Sequence, residues 1–231
     1  MLGPSSAAVR LTADKLTLAC HLQSHNISTP AVIPLPSSLP VNSVRYPLVC
    51  KPRYGAGSQA TFLVQDEEGL ARALLQAEVE GWSSEFILQP YVPGLAVSVA
   101  LLCGAAQWIS LPAVQQYLST DGRFHYQGGR LPLAEHWDRR ARRLAVRAAQ
   151  TVKGVHGYFG VDMVLGDTAD GSADMVIEIN PRLTTSYVGL RELAHFNLAE
   201  ALLAVATGVP TPPLELKSKD IQFTSNGRIL S

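Results

Sequence analysis

The sequence predicts an α+β protein in which strands pair in hairpins and helices pack beside them. Apolar strand-like runs come in pairs around turn residues, at 96–103 and 107–111 around Gly104 and at 158–165 and 174–179 around Asp170-Gly171. Helical spacing of apolar residues is confined to separate stretches at 12–24, 66–79, 138–152 and 198–207. Strand and helix therefore do not alternate as a parallel α/β sheet requires. At 231 residues, 47% hydrophobic and 16% charged, the chain suffices for one large domain or two small ones, with a core that needs no disulfide or metal.

Residues 12–24 read as a helix capped by Thr12, with Leu16, Ala19, Cys20 and Leu22 on its apolar face. The proline-rich stretch 29–47 has room only for short extended pieces. A strand at 46–51 leads through the small-residue loop Gly55-Ala56-Gly57-Ser58 to a return strand at 60–64. Helix 66–79 presents Leu70, Ala73, Leu74 and Ala77 on one side. A short strand at 86–88 passes into a proline-punctuated link, 89–94. After the hairpin at Gly104 comes a polar loop, 115–130, with Asp121-Gly122 and Gly128-Gly129 as turn signals. Its segment 117–130, carrying Arg123, His125, Tyr126 and Arg130, is a candidate lid. The arginines at 139, 140, 142, 143 and 147 read as a solvated face of helix 138–152. Helix 198–207 ends at Gly208 and Pro210, and the polar stretch after Pro212 reads as a tail.

Nineteen basic and nineteen acidic residues balance, so neither a nucleic-acid footprint nor an anionic membrane surface is indicated. No apolar run reaches the roughly 20 residues that span a bilayer. Residues 1–9 lack the basic start of a secretion signal. Cys20, Cys50 and Cys103 are odd in number and far apart, which fits small buried hydrophobes in a reducing compartment. The expectation is a cytoplasmic protein without nucleic-acid or membrane partners.

The strongest chemical signal is Val176-Ile177-Glu178-Ile179-Asn180-Pro181-Arg182. Side chains alternate along a strand, so Glu178 and Asn180 share one face while Ile177 and Ile179 turn into packing. Asp162 lies on the preceding strand, and a hairpin folded about Asp170 brings it beside Glu178. A two-residue turn on Asp170-Gly171 would put the two acids on opposite faces, so the register demands a longer loop or a bulge. Two carboxylates and an amide oxygen on one face suit Mg²⁺, which takes few protein ligands and completes its shell with water and phosphate oxygens. A hairpin that merely turns its acids to solvent has the same spacing.

A second signal is Lys51 at the end of an apolar strand, followed by Pro52 and the loop Gly55–Ser58. Glycines let amide groups approach phosphate oxygens and lysine adds a point charge, though an ordinary hairpin turn shares the pattern. Lys15 taken alone reads as a solvated helix charge. The run Ile87-Leu88-Gln89-Pro90-Tyr91-Val92-Pro93-Gly94 offers backbone groups on a stiff link to a purine edge, or serves as a plain connector. Thr184, Thr185, Ser186 and Arg191 suit a substrate carboxylate or a cap on the next turn.

The order of these pieces, a lysine with a small-residue loop, a hydrophobic hinge, an aspartate strand and then Glu-x-Asn-Pro-Arg, resembles the ATP-grasp superfamily from about Leu2 to Pro210. Within it, the run from Ile179 to Arg191 is similar to the tyramine–glutamate ligase group of methanofuran-type cofactor synthesis. The resemblance implies an ATP-grasp fold of two α+β subdomains clasping ATP, with the usual N-terminal domain largely absent ahead of Leu2-Gly3-Pro4-Ser5. It divides the chain into an N-terminal helix and linker (1–45), a small subdomain with the lysine and glycine loop (46–94), a large subdomain with the metal site (95–212) and a tail (213–231).

The same resemblance places Lys15 and Lys51 on the ATP phosphates, under Gly55, Gly57 and Ser58. It places the Pro90 carbonyl and Val92 N–H on adenine, with Gln89 flanking and Tyr91 in the same link. Asp162, Glu178 and Asn180 would hold two Mg²⁺ or Mn²⁺ ions, with Glu178 bridging. Arg182 would face the transferred phosphoryl group, making Arg182 and Lys51 the catalytic pair. Departures are the short glycine loop, Pro90 at a commonly acidic hinge position, and Ala96 where relatives often carry an acid near the ribose. The implied activity is ADP-forming ligation of a small-molecule carboxylate, with glutamate a candidate, to an amine. A non-catalytic ATP-binding module and a kinase that stops at the acyl phosphate are the alternatives, and a homo-oligomer that supplies the missing domain stays open.

Overall fold

A computed structural model describes residues 2–36, 45–83, 85–211 and 213–230. The chain opens with helices α1 (Ser6–Ala13) and α2 (Lys15–Ser24). A small lobe follows, built from β1 (Ile33–Pro34), β2 (Leu48–Pro52), β3 (Phe62–Val64), α3 (Glu67–Val79) and β4 (Phe86–Pro90). The large lobe contains β5 (Leu95–Cys103), β6 (Trp108–Ser110), β7 (Val114–Leu118), β8 (Tyr126–Leu131), α4 (Glu135–Thr151), β9 (Gly157–Leu165), β10 (Met175–Asn180), α5 (Ser186–Leu193), α6 (Leu198–Thr207) and β11 (Ile221–Thr224). The small sheet has the order β1-β4-β2-β3, and the large one β10-β9-β5-β7-β8-β11 with β6 alongside β5. Neighbouring strands in both sheets run antiparallel, as the hairpin pattern requires.

The large sheet is buried on both faces. Val97, Val99 and Leu101 of β5 pack with Phe159 and Val161 of β9 against Ala8 of α1, Leu18 and Leu22 of α2, and Ala141, Ala145 and Ala148 of α4. Ala100 and Leu102 face the other way with Tyr158, under Leu190, Ala201, Val205 and Phe223 from α5, α6 and β11. Period-2 alternation puts Ser98 and Asp162 on that second face. There the helical cover ends and a cleft begins, so one side of the sheet is core at one end and site at the other. The 1–45 segment therefore serves the large lobe's core through α1 and α2, while Ile33 at β1 packs against the small lobe's own cluster.

Several expectations are corrected. The helix at 12–24 is two helices broken at Asp14, which caps α2 by accepting from the Leu16 and Thr17 amides. Thr12 caps nothing, because its hydroxyl bonds back to the Ala8 carbonyl within α1 at 2.9 Å. The polar loop at 115–130 is the β7–β8 hairpin. Asp121-Gly122 is its turn, as expected, but Gly128 marks close approach: it has φ +142, and a Cβ there would lie 2.0 Å from the Phe223 carbonyl oxygen. The segment 213–231, read as a tail, contributes β11, which pairs with β8 and buries Ile221 and Phe223. The hydroxyl-rich run after Pro181 leads into an unanticipated helix, α5. Gln89 and Pro90 belong to β4 rather than to the link. Arg140 is not solvated but forms a buried bidentate pair with Asp174, its Nη2 2.5 Å from Oδ1. Cys50 and Cys103 are buried as expected, whereas Cys20 is exposed. The stretch 29–47 holds the short strand β1, and its residues 37–44 lie outside the described ones.

With Phe223 fully enclosed between β8 and α5, Phe223→Ala is expected to cost roughly 3–5 kcal/mol, the usual scale for emptying a buried phenylalanine site. Urea unfolding of the variant beside the parent chain measures it; a change under about 1 kcal/mol would place residues 213–230 outside the core.

Candidate active site

Between the lobes lies a cleft of about 650 Å³, within the roughly 300–1,000 Å³ common to small-molecule sites. Lys15, Lys51, Gly55, Gly57, Ser58, Gln89, Pro90, Tyr91, Val92, Asp162, Glu178, Asn180 and Arg182 all line it. Five separate parts of the chain thus meet in one cavity. Thr184, Thr185 and Ser186 line it too, but Arg191 is exposed on α5 and does not.

The acidic wall is built by the β9–β10 pairing. Met175 and Val176 face Val164 and Met163, the register then shifts, and Glu178 faces Asp162. The longer loop and the bulge are both present, and the bulged residue is Ile177. The extra residue turns Ile177 into the cleft instead of into packing, while Val176 and Ile179 stay in the core. Asn180 Nδ2 donates to Asp162 Oδ2 at 2.8 Å, and Gln116 Nε2 on β7 donates to Oδ1 at 3.3 Å. Arg182 Nη2 donates to Asn180 Oδ1 at 3.1 Å. Burial and the neighbouring Glu178 charge push the Asp162 carboxyl up to about 6, against the pull of Ser98, Arg182 and Asn180. Ser98 faces Asp162 across the β5–β9 ladder, and its buried hydroxyl stands beside that carboxylate.

Two lysines oppose this wall. Lys15 is only 8% exposed, so the solvated-charge reading fails. Its Nζ lies 3.8 Å from Glu178 Oε1 and donates to the Gly55 carbonyl at 2.8 Å. Lys51 is 7% exposed at the end of β2. Burial pushes its ammonium down to about 8; Lys15 adds to the shift and Glu178 opposes it.

Asp14, which residue-type reasoning passed over, holds this corner together. Besides capping α2, it accepts from Arg53 Nε at 2.8 Å and Nη2 at 2.6 Å, while the Lys15 amide donates to the Arg53 carbonyl at 3.2 Å. Arg53 follows β2, so one carboxylate fastens the helix that carries Lys15 to the strand that carries Lys51. Asp14 with Thr17 three residues on was the legible signal, since a cap belongs at such a site. Gln116 and Ser98 also line the cleft and carried no signal of their own, and Tyr126, read as part of a candidate lid, lines it too. Beside Asn180, Thr184 Oγ1 and Ser186 Oγ lie 2.7 Å apart, and the Tyr158 hydroxyl sits 3.3 Å from Thr184. Gly160 makes room for that cluster, because a Cβ there would come within 2.6 Å of the Thr184 methyl.

Residues 12–186 match the ATP-grasp domain, and that span takes in every residue of the cleft's acidic and basic walls. The chain belongs to the ATP-grasp family. Among curated relatives of this ATP-grasp chain, a tyramine–L-glutamate ligase of Methanocaldococcus fervens is 30% identical over 145 residues, 63% of this chain and 45% of the ligase. A D-alanine–D-alanine ligase of Francisella philomiragia is 28% identical over 187 residues, 77% of this chain and 59% of the relative. The chain thus spans about half the length of such ligases. A carboxyaminoimidazole ribonucleotide synthase from Aspergillus clavatus, solved with ATP, superposes with a TM-score of 0.80 at 21% identity, over 95% of this chain and 58% of that one. The ATP-grasp fold is therefore common to all of them, and no described helix is long and apolar enough to cross a membrane.

The Arg53 pair holds the Asp14 carboxyl well below the usual carboxylate range, helped by the bonds from Thr17 and opposed by burial. A depressed pKa contributes stability that is full above the unfolded value, about 4, and is lost as pH falls below it. Asp14→Asn is therefore expected to lower the thermal midpoint at pH 7, with the gap to the parent closing below about pH 4. Thermal melts between pH 3 and 8 measure this; a gap that is constant with pH would remove the ion pair from the account.

Proposed function

We propose that this chain is the catalytic part of an ATP- and Mg²⁺-dependent ligase that joins a small-molecule carboxylate to an amine through an acyl phosphate. The observation that carries the reading is the convergence of two buried lysines from different lobes on the face of Glu178, with Asp162 beside it across the β9–β10 bulge. Such a cavity suits a triphosphate whose charge is neutralised from one side by lysines and from the other by cations held on carboxylates. Family membership and the ligases among the relatives support it.

The residues fit a divalent cation. No three His, Cys, Asp or Glu side chains gather among the described residues, and Asp162, Glu178 and Asn180 Oδ1 form a sparse, all-oxygen set. Mg²⁺ accepts such a set because it takes its other ligands from water and phosphate. When bound, two Mg²⁺ or Mn²⁺ ions would neutralise charge on the phosphate oxygens.

In the proposed reaction, Lys15 and Lys51 hold phosphate oxygens, and Gly55, Gly57 and Ser58 close over them. The Pro90 carbonyl and Val92 N–H receive the adenine edge, beside Gln89 and Tyr91. A substrate carboxylate oxygen attacks the γ-phosphorus, and ADP leaves. The amine then attacks the acyl carbon, the C–O bond to phosphate breaks, and the nitrogen gives up a proton as phosphate departs. Arg182 stabilises the oxyanion or the departing phosphate. No enzyme nucleophile takes part. Glutamate is a first candidate acid and tyramine a first candidate amine, on the likeness to the tyramine–L-glutamate ligase.

The test is ADP release by the purified chain with Mg²⁺-ATP over a panel of acids and amines that includes glutamate with tyramine. Turnover is expected to require both an acid and an amine and to fall at least about a hundredfold in Glu178→Ala, the scale of losing one electrostatic stabiliser. ADP release with acid alone would indicate a carboxylate kinase, and tight ATP binding without turnover on any pair would leave a binding module only.

A further inference from the structure

The β7–β8 hairpin belongs to the large lobe, yet its tip is fastened to the small one. Three kinds of contact do this. The Leu63 amide on β3, the edge strand of the small sheet, donates to the Gly122 carbonyl at 2.7 Å. An edge strand leaves such groups unpaired, and the tip takes one of them. Arg123 then places both terminal nitrogens on the two oxygens of Glu80, at 2.8 Å each, and its Nε on the Thr61 carbonyl at 3.1 Å. The same guanidinium lies 4.2 Å over the Phe62 ring. Glu80 ends α3, so one arginine grips the last turn of the small lobe's helix and its edge strand together.

The tip is shaped before it docks. Ser119 N donates to the His125 carbonyl at 2.9 Å, His125 N to the Ser119 hydroxyl at 2.9 Å, and Arg123 N to Asp121 at 2.9 Å. Phe124 holds φ +55, a left-handed conformation that bulky residues avoid, and its ring stacks 6.1 Å from Tyr91 in the link between lobes. Ser119, Gly122 and Phe124 line the cleft, so the strap forms part of its wall.

We propose that Arg123 is a positioning residue: through its fork on Glu80 it latches the small lobe to the β7–β8 strap and holds the cleft at the width that receives the nucleotide. The last clause rests on the ATP reading above; the latch itself does not. Arg123 does not line the cleft, so it acts on a bound nucleotide only through the lobes. The bidentate, stacked geometry needs a guanidinium, and lysine in its place reproduces neither contact. The lobes stay joined by the 91–94 link and by Asp14–Arg53 when the latch is cut, so the expected result is a looser chain and not an unfolded one.

The experiment uses the full chain with Cys20→Ser and spin labels on Leu75→Cys of α3 and Arg139→Cys of α4, both exposed positions in different lobes. Without nucleotide, the parent background is expected to give one narrow distance distribution. Arg123→Ala and Arg123→Glu should broaden it, and the charge swap Arg123→Glu with Glu80→Arg should narrow it again, which a merely structural loss would not do. A distribution unchanged in Arg123→Ala, or one still broad in the swap, overturns the latch. In parallel, Mg²⁺-ATP affinity should fall about tenfold in Arg123→Ala, as when the competent fraction drops to a tenth. Equal affinity in parent and variant overturns the positioning role. A parent chain that binds no ATP removes the nucleotide reading, while the distance distributions still decide the latch.

Discussion

Four charged groups gathered in one cleft, two of them buried lysines, set the terms for the rest of the molecule. Lys15 and Lys51 are each more than nine-tenths buried, Asp162 is enclosed enough to raise its pKa to about 6, and Glu178 stands within 3.8 Å of Lys15. A buried charge left alone is costly, on the order of 3–5 kcal/mol when a partner is removed. Partners offset that cost here, with Lys15 against Glu178, the amide of Asn180 on Asp162, the backbone of Gly55 on Lys15 and the Glu178 charge favouring the Lys51 ammonium. A cavity that concentrates charge in this way is poised for a ligand with charges of its own.

The architecture follows from holding those groups in place. Lys15 comes from a helix packed on the large sheet, Lys51 from the small sheet, and the carboxylates from adjacent strands whose pairing slips by one residue. Each arrives by a different route, so the lobes have to be fixed relative to one another. The Asp14–Arg53 pair does this at the lysine corner, and the β7–β8 strap does it at β3 and the end of α3. The bulge at Ile177 is the smallest of these devices and a decisive one, because without it Asp162 and Glu178 lie on opposite faces of the hairpin.

Much of this was legible in residue order, for reasons that differ by element. β5 and β9 are covered on both faces, so they read as unbroken apolar runs and were found with little error. The slip between Asp162 and Glu178 followed from parity alone. The β7–β8 hairpin was missed because Gln115 and Gln116 line a cleft instead of a core, and because Gly128 reads as a turn when it makes room for β11. β11 itself is four residues long and finds its partner about ninety residues earlier, at Arg130, which no local pattern reveals. The break at Asp14 was obscured because Thr12 and Asp14 both suit a cap, and only tertiary contact with Arg53 decides between them. Arg123 stood out only as one residue of a candidate lid, and nothing local pointed to its partners Thr61 and Glu80 in the other lobe.

The most direct measurement is Mn²⁺ binding followed by electron paramagnetic resonance, with and without ATP, in the parent chain and in Glu178→Gln. The expected result is tight Mn²⁺ binding that appears only with ATP, approaches two ions per chain and is lost in the variant. Mn²⁺ that ignores ATP, or binding that survives Glu178→Gln, would contradict the assignment of this cleft to a metal–nucleotide complex.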